Sequence, residues 1–571
     1  MSGFREKKTS KERRIKPKGN TRVNGDTLLK SAINHHAHGD LINAEKEYRQ
    51  AIKIGIQNSS IFSNLGIICK NSGRSDEALY LYKKAIELDP KYSNAYHNLG
   101  NLYESIGNLD QALASTLKCL ELKPDNPDAL INLGNIHKRL GDLDRALAST
   151  LKSLELKPDN PDALVNLGGI YQYLGKYDQA LAYTLKSLEL KPDNTNALVN
   201  LGGIYQYLGN HDQALAYTLK SLELKPDNPD ALINLGSIHK DLGNLDQALA
   251  CILKSLEIKP DNPDAHMNLG MTYEISNELD SALESYTESA KLSSQDKKDS
   301  RLTSLINKSI TLLQMSRIDE AKNALSEASE EALKKKINPK PISMKNEEHN
   351  KAYLCYLSKL IPKIPTIKPS IKSQILHLGE SHCLAFTNQS IEIKGKRCIL
   401  KPSLIKGAKA FHLSGGTRAN PQKVAFKKRL EQNLNGYENI FLSFGEIDCR
   451  ENEGILLHCK KTGKAIQDVS KVTAIKYHEW TATILSEYMD KLVYFGTPAP
   501  FKSDPNNEQR LLAITVFNTT LAKECQKSGS LFADVYNLTA GKDGYNNNGW
   551  MIDSRHLQPK ALKELIKTLQ H

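Results

Sequence analysis

A step of 34 residues governs the first half of the chain. Pro90, Pro124, Pro158, Pro192, Pro226 and Pro260 keep it. So do Gly66, Gly100, Gly134, Gly168, Gly202, Gly236 and Gly270, and Ala44, Ala78, Ala112, Ala146, Ala180, Ala214, Ala248 and Ala282. Within one step, Pro127-Asp128-Ala129-Leu130-Ile131-Asn132-Leu133-Gly134 leads through Asp144-Arg145-Ala146-Leu147 to Lys157-Pro158. That order reads helix, turn, helix, proline stop. Small residues stand where two helices must approach closely, and proline cannot continue the second helix. A single unit cannot bury its own apolar face, so successive units must share a core as a solenoid with a concave groove. Eight regular units span residues 25–294, and a ninth, degenerate one spans 302–335 with Ala321 at the small position.

Period and pattern together resemble the tetratricopeptide (TPR) repeat. The resemblance implies an all-α array at residues 25–335 that binds a protein partner or an extended peptide in its groove. An asparagine precedes each glycine by two residues: Asn64, Asn98, Asn132, Asn166, Asn200, Asn234 and Asn268. An amide both donates and accepts, so a ladder of them can hold a peptide backbone without reading its sequence. This ladder is similar to that in the repeats of O-linked N-acetylglucosamine transferases. The other reading is that recent duplication copied the asparagine with everything else, since the units at 161–194 and 195–228 are nearly identical. Tyr173 and Tyr207 are candidates to add contacts, and Tyr171 and Tyr205 fit the packing stripe.

At 571 residues the chain is too long for one core. Nothing in it reads as a membrane span or signal peptide, and nine scattered cysteines without a C-x-x-C pair argue against a disulfide framework or zinc site. These features point to the cytoplasm. The net charge of +12 hints at nucleic acid, yet +7 of it lies in residues 1–24, expected to be a disordered basic tail. No specific nucleic-acid partner follows. After the repeats, residues 336–373 hold one further helix (346–360) and then prolines at 362, 365 and 369. A proline every third or fourth residue prefers an extended, semi-rigid linker.

From residue 374 the pattern changes. Apolar runs at 375–378, 440–444, 492–495 and 531–535 alternate with helical stretches at 421–433, 472–490, 507–528 and 559–569. Short buried strands alternating with helices imply a parallel sheet covered on both faces, with its site at the carboxyl ends of the strands. The run Ile375-Leu376-His377-Leu378-Gly379-Glu380-Ser381 ends a strand in a sharp turn with Ser381 at the elbow. It reads either as a nucleophile or as a packed turn with an incidental serine. Near the C-terminus, Asp553 and His556 are three apart, which on a helical turn puts a carboxylate where it can orient an imidazole. The small-residue loop His412-Leu413-Ser414-Gly415-Gly416-Thr417 offers bare backbone N–H groups for an oxyanion.

Serine elbow, glycine loop, polar strand end and Asp-x-x-His, in that order, resemble the SGNH (GDSL-type) hydrolases over residues 374–571. The resemblance implies a three-layer, flavodoxin-like α/β domain acting on a small ester-bearing substrate. In it Ser381 is the nucleophile, His556 the general base and Asp553 its orienting carboxylate; the N–H groups of Ser381 and Gly415 are oxyanion donors. Two departures stand out. Glu380 replaces the usual aspartate before the serine. In the third block, Gly445-Glu446-Ile447-Asp448-Cys449-Arg450, Ile447 holds the place of an asparagine that supplies a further donor. Removing one such donor costs about 10²–10³ in rate. Glu446, Asp448 and Arg450 alternate and are expected to share one strand face beside the site, with Arg450 either anchoring an anionic substrate or paired with Asp448. There is no P-loop, dinucleotide fingerprint or metal-ligand cluster, so no cofactor and no metal are expected. Two readings follow: a TPR-scaffolded serine hydrolase, or a non-catalytic scaffold whose α/β domain has lost activity. A third, a TPR-guided partner of a glycosyltransferase, has only the asparagine ladder behind it.

Overall fold

The computed structural model describes residues 19–293, 298–337 and 344–365, and from 371 onward all but 394, 407, 411–412, 414–419, 433, 447–448, 451–452, 505, 548, 554–555 and 570–571. Residues 1–18 of the expected basic tail (1–24) lie outside this range. The chain divides into two compact units, Met1–Ile170 and Tyr171–His571.

In the first unit, antiparallel helix pairs follow one another: Gly19–Ala37 with Leu41–Lys53, Ser59–Asn71 with Ser75–Leu88, Ser93–Ser105 with Leu109–Leu122, and Pro127–Leu140 with Leu143–Leu156. The first helix begins at Gly19, so residues 19–24 are helical rather than part of the expected tail. The periodic alanines Ala44, Ala78, Ala112 and Ala146 are fully buried. A Cβ on Gly100 would lie 2.6 Å from Thr116 Oγ1, and one on Gly66 would meet the Tyr82 ring at 2.5 Å, so each step's glycine is the contact point of its two helices. Asn108, Asn126 and Asp142 cap their helices through side-chain oxygens.

The second unit opens with further pairs, Thr195–Tyr207 with His211–Leu224, Pro229–Asp241 with Leu245–Ile258, and Pro263–Ser276 with Leu279–Leu292. The degenerate repeat is a true pair, Lys298–Gln314 with Ile318–Ile337, and Ala321 is fully buried in it. The helix Met344–Leu360 follows. The proline run then departs from the extended linker expected: Ile361–Lys363 forms a 3₁₀ turn, with Ile361 and Ile364 buried in the core of the last repeat. Proline is tolerated in the first turn of a helix, where its missing N–H has no partner to lose.

Among the described residues of the α/β domain, six strands form the sheet: β1 (Ser373–Gly379), β2 (Ser390–Ile393), β3 (Lys396–Leu404), β4 (Tyr437–Ser443), β5 (Leu492–Phe495) and β6 (Leu531–Ala533). Their order is β2-β3-β1-β4-β5-β6, with every pair parallel except β2/β3. Sequence reading found four of these and missed β2, which is only four residues long, and β3, whose apolar run is broken by Lys396, Arg397, Lys401 and Pro402. Side chains alternate across the sheet. Leu376, Leu378, Ile440 and Leu442 face a core shared with Phe426, Tyr477 and Phe517; Ile375, Leu400, Phe441 and Val493 face one shared with Phe386, Leu562 and Leu565. β1 lies between its parallel neighbours β3 and β4, so the chain leaves it toward opposite sides of the sheet, and its carboxyl end is the switch point where such sheets open a crevice.

Within this second unit the last repeats are welded to the α/β domain. Arg429, 1 % exposed, donates to the carbonyls of Glu274 (2.8 Å), Ile275 (3.1 Å) and Leu404 (3.0 Å). Lys406 reaches Glu274 at 2.8 Å and Asn307 at 2.9 Å, and the Leu404 N–H donates to Gln314 Oε1 at 2.9 Å.

Candidate active site

β1 ends at Gly379, which is wedged against β4: a Cβ there would lie 2.9 Å from the Ser443 carbonyl and 3.3 Å from Cys383 Cβ. Only glycine fits. Glu380 then turns inward, 2 % exposed, and its carboxylate accepts the Glu446 N–H at 3.1 Å. The longer acid thus ties the first loop to the third. Ser381 follows at the start of a single helical turn, His382–Ala385.

The Ser381 hydroxyl lies 2.8 Å from His556 Nε2. On the far side of the ring, His556 Nδ1 lies 2.9 and 3.0 Å from the two Asp553 oxygens. A carboxylate accepts only, so Nδ1 carries the proton and Nε2 is left to accept from the serine. The three residues, 175 positions apart at their extremes, form one hydrogen-bonded chain. The expected helical turn at 553–556 includes residues 554–555, which lie outside the described residues. Around it, Met551 and Leu557 form an antiparallel bridge, the Ile552 N–H donates to the His556 carbonyl at 2.7 Å, and the His556 N–H donates to Asp553 Oδ1 at 2.8 Å.

Gly415 and its neighbour Gly416 lie outside the described residues, as do Ile447 and Asp448. Glu446 and Arg450 do not share a strand face, because β4 ends at Ser443 and the chain turns there. Arg450 pairs with Glu446 rather than standing free, Nε to Oε2 at 2.9 Å, and Arg510 approaches the other Glu446 oxygen at 3.8 Å. Burial alone would raise the Glu446 carboxyl, but the two guanidiniums outweigh it and hold the group at about 2. His382 is buried, and burial pushes its imidazole down to about 4. Beside it lies a cavity of about 20 Å³, lined by Glu380, His382, Ser443, Glu446 and Thr497 among others. His382 Nε2 and Thr497 Oγ1 have no hydrogen-bond partner among the described residues. The cavity is large enough for one water between such groups.

Sequence reading missed His382, Arg510 and Tyr356. His382 was adjacent to the serine and readable as a neighbour. Arg510 sits in the long helix Asn507–Ser528 and Tyr356 in the helix after the repeats, and no motif marks either.

In the repeats, the asparagine amides are already engaged. Asn98 Nδ2 donates to Ser63 Oγ (3.0 Å), Asn166 to the Ile131 carbonyl (3.4 Å) and Thr150 Oγ1 (3.1 Å), and Asn234 to the Val199 carbonyl (3.0 Å). Asn132 donates to Asn101 and lies 3.4 Å from His97 Nδ1. Four of these bonds, to residues 63, 97, 131 and 199, reach back 35 positions, each joining one unit to the one before. Asn64 donates to Tyr48 Oη (3.1 Å), and Asn268 to the Asp264 carbonyl (3.0 Å). Asn200 is hydrogen-bonded or otherwise engaged as well.

Family models of the tetratricopeptide repeat match residues 59–92, 81–114, 125–193, 159–227, 193–261 and 233–297. The helical region is a TPR array. Solved structures similar to this chain include a tetratricopeptide repeat protein from Parabacteroides merdae, at 20% identity over 44% of this chain and 99% of that one, TM-score 0.38. Another is a thermophilic TPR protein of Thermus thermophilus, at 24% identity over 32% of this chain and 98% of that one, TM-score 0.30. A third is YrrB, a TPR protein with an unusual peptide-binding site, at 29% identity over 32% and 95%, TM-score 0.24. No curated protein matches the chain. No helix among the described residues is long and apolar enough to cross a membrane, and no group of three or more potential metal ligands occurs among them.

Proposed function

We propose that the α/β domain is an SGNH-like serine hydrolase carried on a TPR scaffold. The observation that carries this is the continuous chain from Ser381 Oγ through His556 to Asp553, at 2.8 and 2.9 Å. Ser381 Oγ attacks the acyl carbon while its proton passes to His556 Nε2, and Asp553 stabilises the imidazolium that forms. The tetrahedral intermediate collapses with cleavage of the bond to the leaving group, which takes the proton from His556. Water, deprotonated by the same imidazole, then releases the acyl group from Ser381; an acceptor hydroxyl in place of water makes the reaction acyl transfer. The N–H groups of Ser381 and Gly415 are the proposed oxyanion donors. The reaction needs no metal or cofactor for these steps, and the substrate is a small ester or related acyl compound.

The array is proposed to hold a protein partner or extended peptide. With most of the asparagine N–H groups engaged between units, and the Asn166 and Asn268 oxygens accepting from Lys138 and Lys240, contact with a peptide falls to the amide oxygens of Asn64, Asn98, Asn132 and Asn234 and to the exposed rings of Tyr173 and Tyr207. The second reading, a non-catalytic scaffold, is favoured by Ile447 in the place of an oxyanion donor. A fluorophosphonate probe and a short acyl-ester assay on the full chain separate the two. Labelling and turnover that both vanish in Ser381→Ala support the hydrolase; their absence from the wild type supports the scaffold.

A further inference from the structure

The helix Met344–Leu360 belongs by sequence to the joint between repeats and α/β domain, yet one of its side chains reaches the candidate triad. Tyr356 is 1 % exposed. Its ring lies flat on the His556 imidazole, with centroids 3.7 Å apart and planes 18° from parallel. Its hydroxyl donates to the Ser381 carbonyl at 3.0 Å. One side chain therefore touches both partners of the proton transfer. We propose that Tyr356 is a positioning residue for Ser381 and His556, so that the catalytic unit includes the helix packed on the last repeat. This rests on the serine-hydrolase reading.

The physical need is specific. Asp553 fixes the imidazole at one ring atom, which leaves the ring free to tilt about the axis through that bond. A flat aromatic face pressed against the imidazole removes the tilt. The phenol face is also electron-rich, so it favours the imidazolium that forms when the serine proton arrives. The hydroxyl meanwhile pins the elbow backbone. Misplacement by about 1 Å at such a site costs on the order of 10²-fold in rate. Burial holds the phenol well above its ordinary range, so the hydroxyl stays a donor.

What holds Tyr356 is the end of the repeat array. Leu357 and Leu360 share a core with Leu302, Leu305 and Ile306 of the last repeat and with Cys383 and Leu384 of the elbow turn. Asn350 Nδ2 donates to Thr303 Oγ1 at 2.9 Å, fastening the other end of the helix to the same repeat.

The test uses the full chain and compares wild type, Ser381→Ala, Tyr356→Phe, Tyr356→Leu and Tyr356→Met in fluorophosphonate labelling rate and in ester turnover. Phenylalanine keeps the stacked face and loses only the bond to the Ser381 carbonyl, so it is expected to slow the rate by about fivefold, less than the non-aromatic variants. Leucine or methionine removes it and should slow labelling and lower kcat by about tenfold or more, with KM within about twofold. Two non-aromatic variants are included because one folded protein is enough to decide. Labelling by the leucine or methionine variant within about twofold of wild type overturns the inference, and faster labelling overturns it too, since the ring would then be a cover rather than a support. A wild type that never labels overturns the hydrolase reading itself, and the positioning role with it.

Discussion

Two sets of polar residues stand out in this chain, and the fold treats them in opposite ways. The seven asparagines recur at a fixed step, and those whose partners are known direct their amides into their own array, most of them to the preceding unit. Ser381 shares no period with Asp553 and His556 and lies far from that close pair in sequence, yet the three meet in a chain of hydrogen bonds beside a small cavity. Repetition marks a task that every unit performs, and in a solenoid that task is stacking. Convergence of residues remote in sequence has no such explanation within a single element. The difference is a guide for reading such chains: a periodic polar residue should first be tested as a staple, and a scattered set that meets at a strand end should first be tested as a site.

The largest expected effect breaks or upholds that contrast directly. Ser381→Ala should abolish fluorophosphonate labelling and lower ester turnover by about 10³-fold or more, on the order seen when a nucleophile is removed from a triad. The same substitution should leave the melting temperature nearly unchanged, because a side-chain hydroxyl of this size contributes about 1 kcal/mol. A large loss of stability with no loss of labelling would put Ser381 in the same class as the asparagines.

Next in size is Arg429→Met. Its guanidinium serves three carbonyls of two different folds at the junction; methionine keeps much of the volume but removes that donor, while the Glu274 carbonyl keeps the Asn277 N–H. Each buried unsatisfied group costs about 1–3 kcal/mol, so a loss of roughly 3 kcal/mol or more is expected in denaturant unfolding. Because Tyr356 lies near the same junction, the contrast sharpens if labelling of Ser381 falls as well.

Much of this architecture was legible in the sequence, for reasons that particular residues make plain. The 34-residue step is a direct consequence of contacts such as Gly100 against Thr116, so it could be read without coordinates. Strand β5 was read at its full bounds because Leu492 to Phe495 is wholly apolar and wholly buried. Strand β3 was not, because its buried face is interrupted by Lys401 and Pro402, and only pairing to β1 shows that they belong to a strand. At the site, serine, histidine and aspartate could be picked out by order along the chain. Tyr356 could not: its role depends on a helix from one fold lying over the elbow of another, which no local pattern encodes. The pairing of Arg450 with Glu446 was hidden for a related reason, since strand alternation assumed a strand that ends at Ser443.

Acid acts on the surroundings of the candidate site through two buried histidines and a buried carboxylate. His377, among Phe386, Phe441 and Phe495, is pushed down to about 3 by burial, and His382 to about 4. Both are neutral when folded but bind protons near about 6.5 when unfolded. Their contribution is therefore complete above about pH 6.5 and is lost as pH falls toward about 4 and then 3. Glu446 acts in the same direction lower down, its contribution present above the ordinary glutamate range and lost as pH falls toward about 2. Urea midpoints of the α/β transition should thus decline steadily from about pH 7 to about pH 4. His377→Phe should flatten that decline, even with lower stability at neutral pH from the lost bond to Ser443. A midpoint independent of pH across this range would remove the buried neutral histidines from the account.

The smallest effect tests the staple itself, and Asn166 is the place to look. It is 4 % exposed, donates to Ile131 and Thr150, and accepts from Lys138 Nζ at 3.1 Å. Burial pushes the Lys138 ammonium down to about 8, so the amide oxygen is part of what makes that charge tolerable. Asn166→Ala removes both directions of bonding at once. A net loss of about 1–2 kcal/mol is expected for a buried amide whose partners keep some access to other groups. It should appear as an earlier unfolding of the repeats with no change in Ser381 labelling. Capture of an extended peptide should change only in proportion to that loss. If instead stability is unchanged while peptide capture falls about tenfold, Asn166 is a recognition residue, and the rule that periodic polar residues hold the array together fails at its best-packed example.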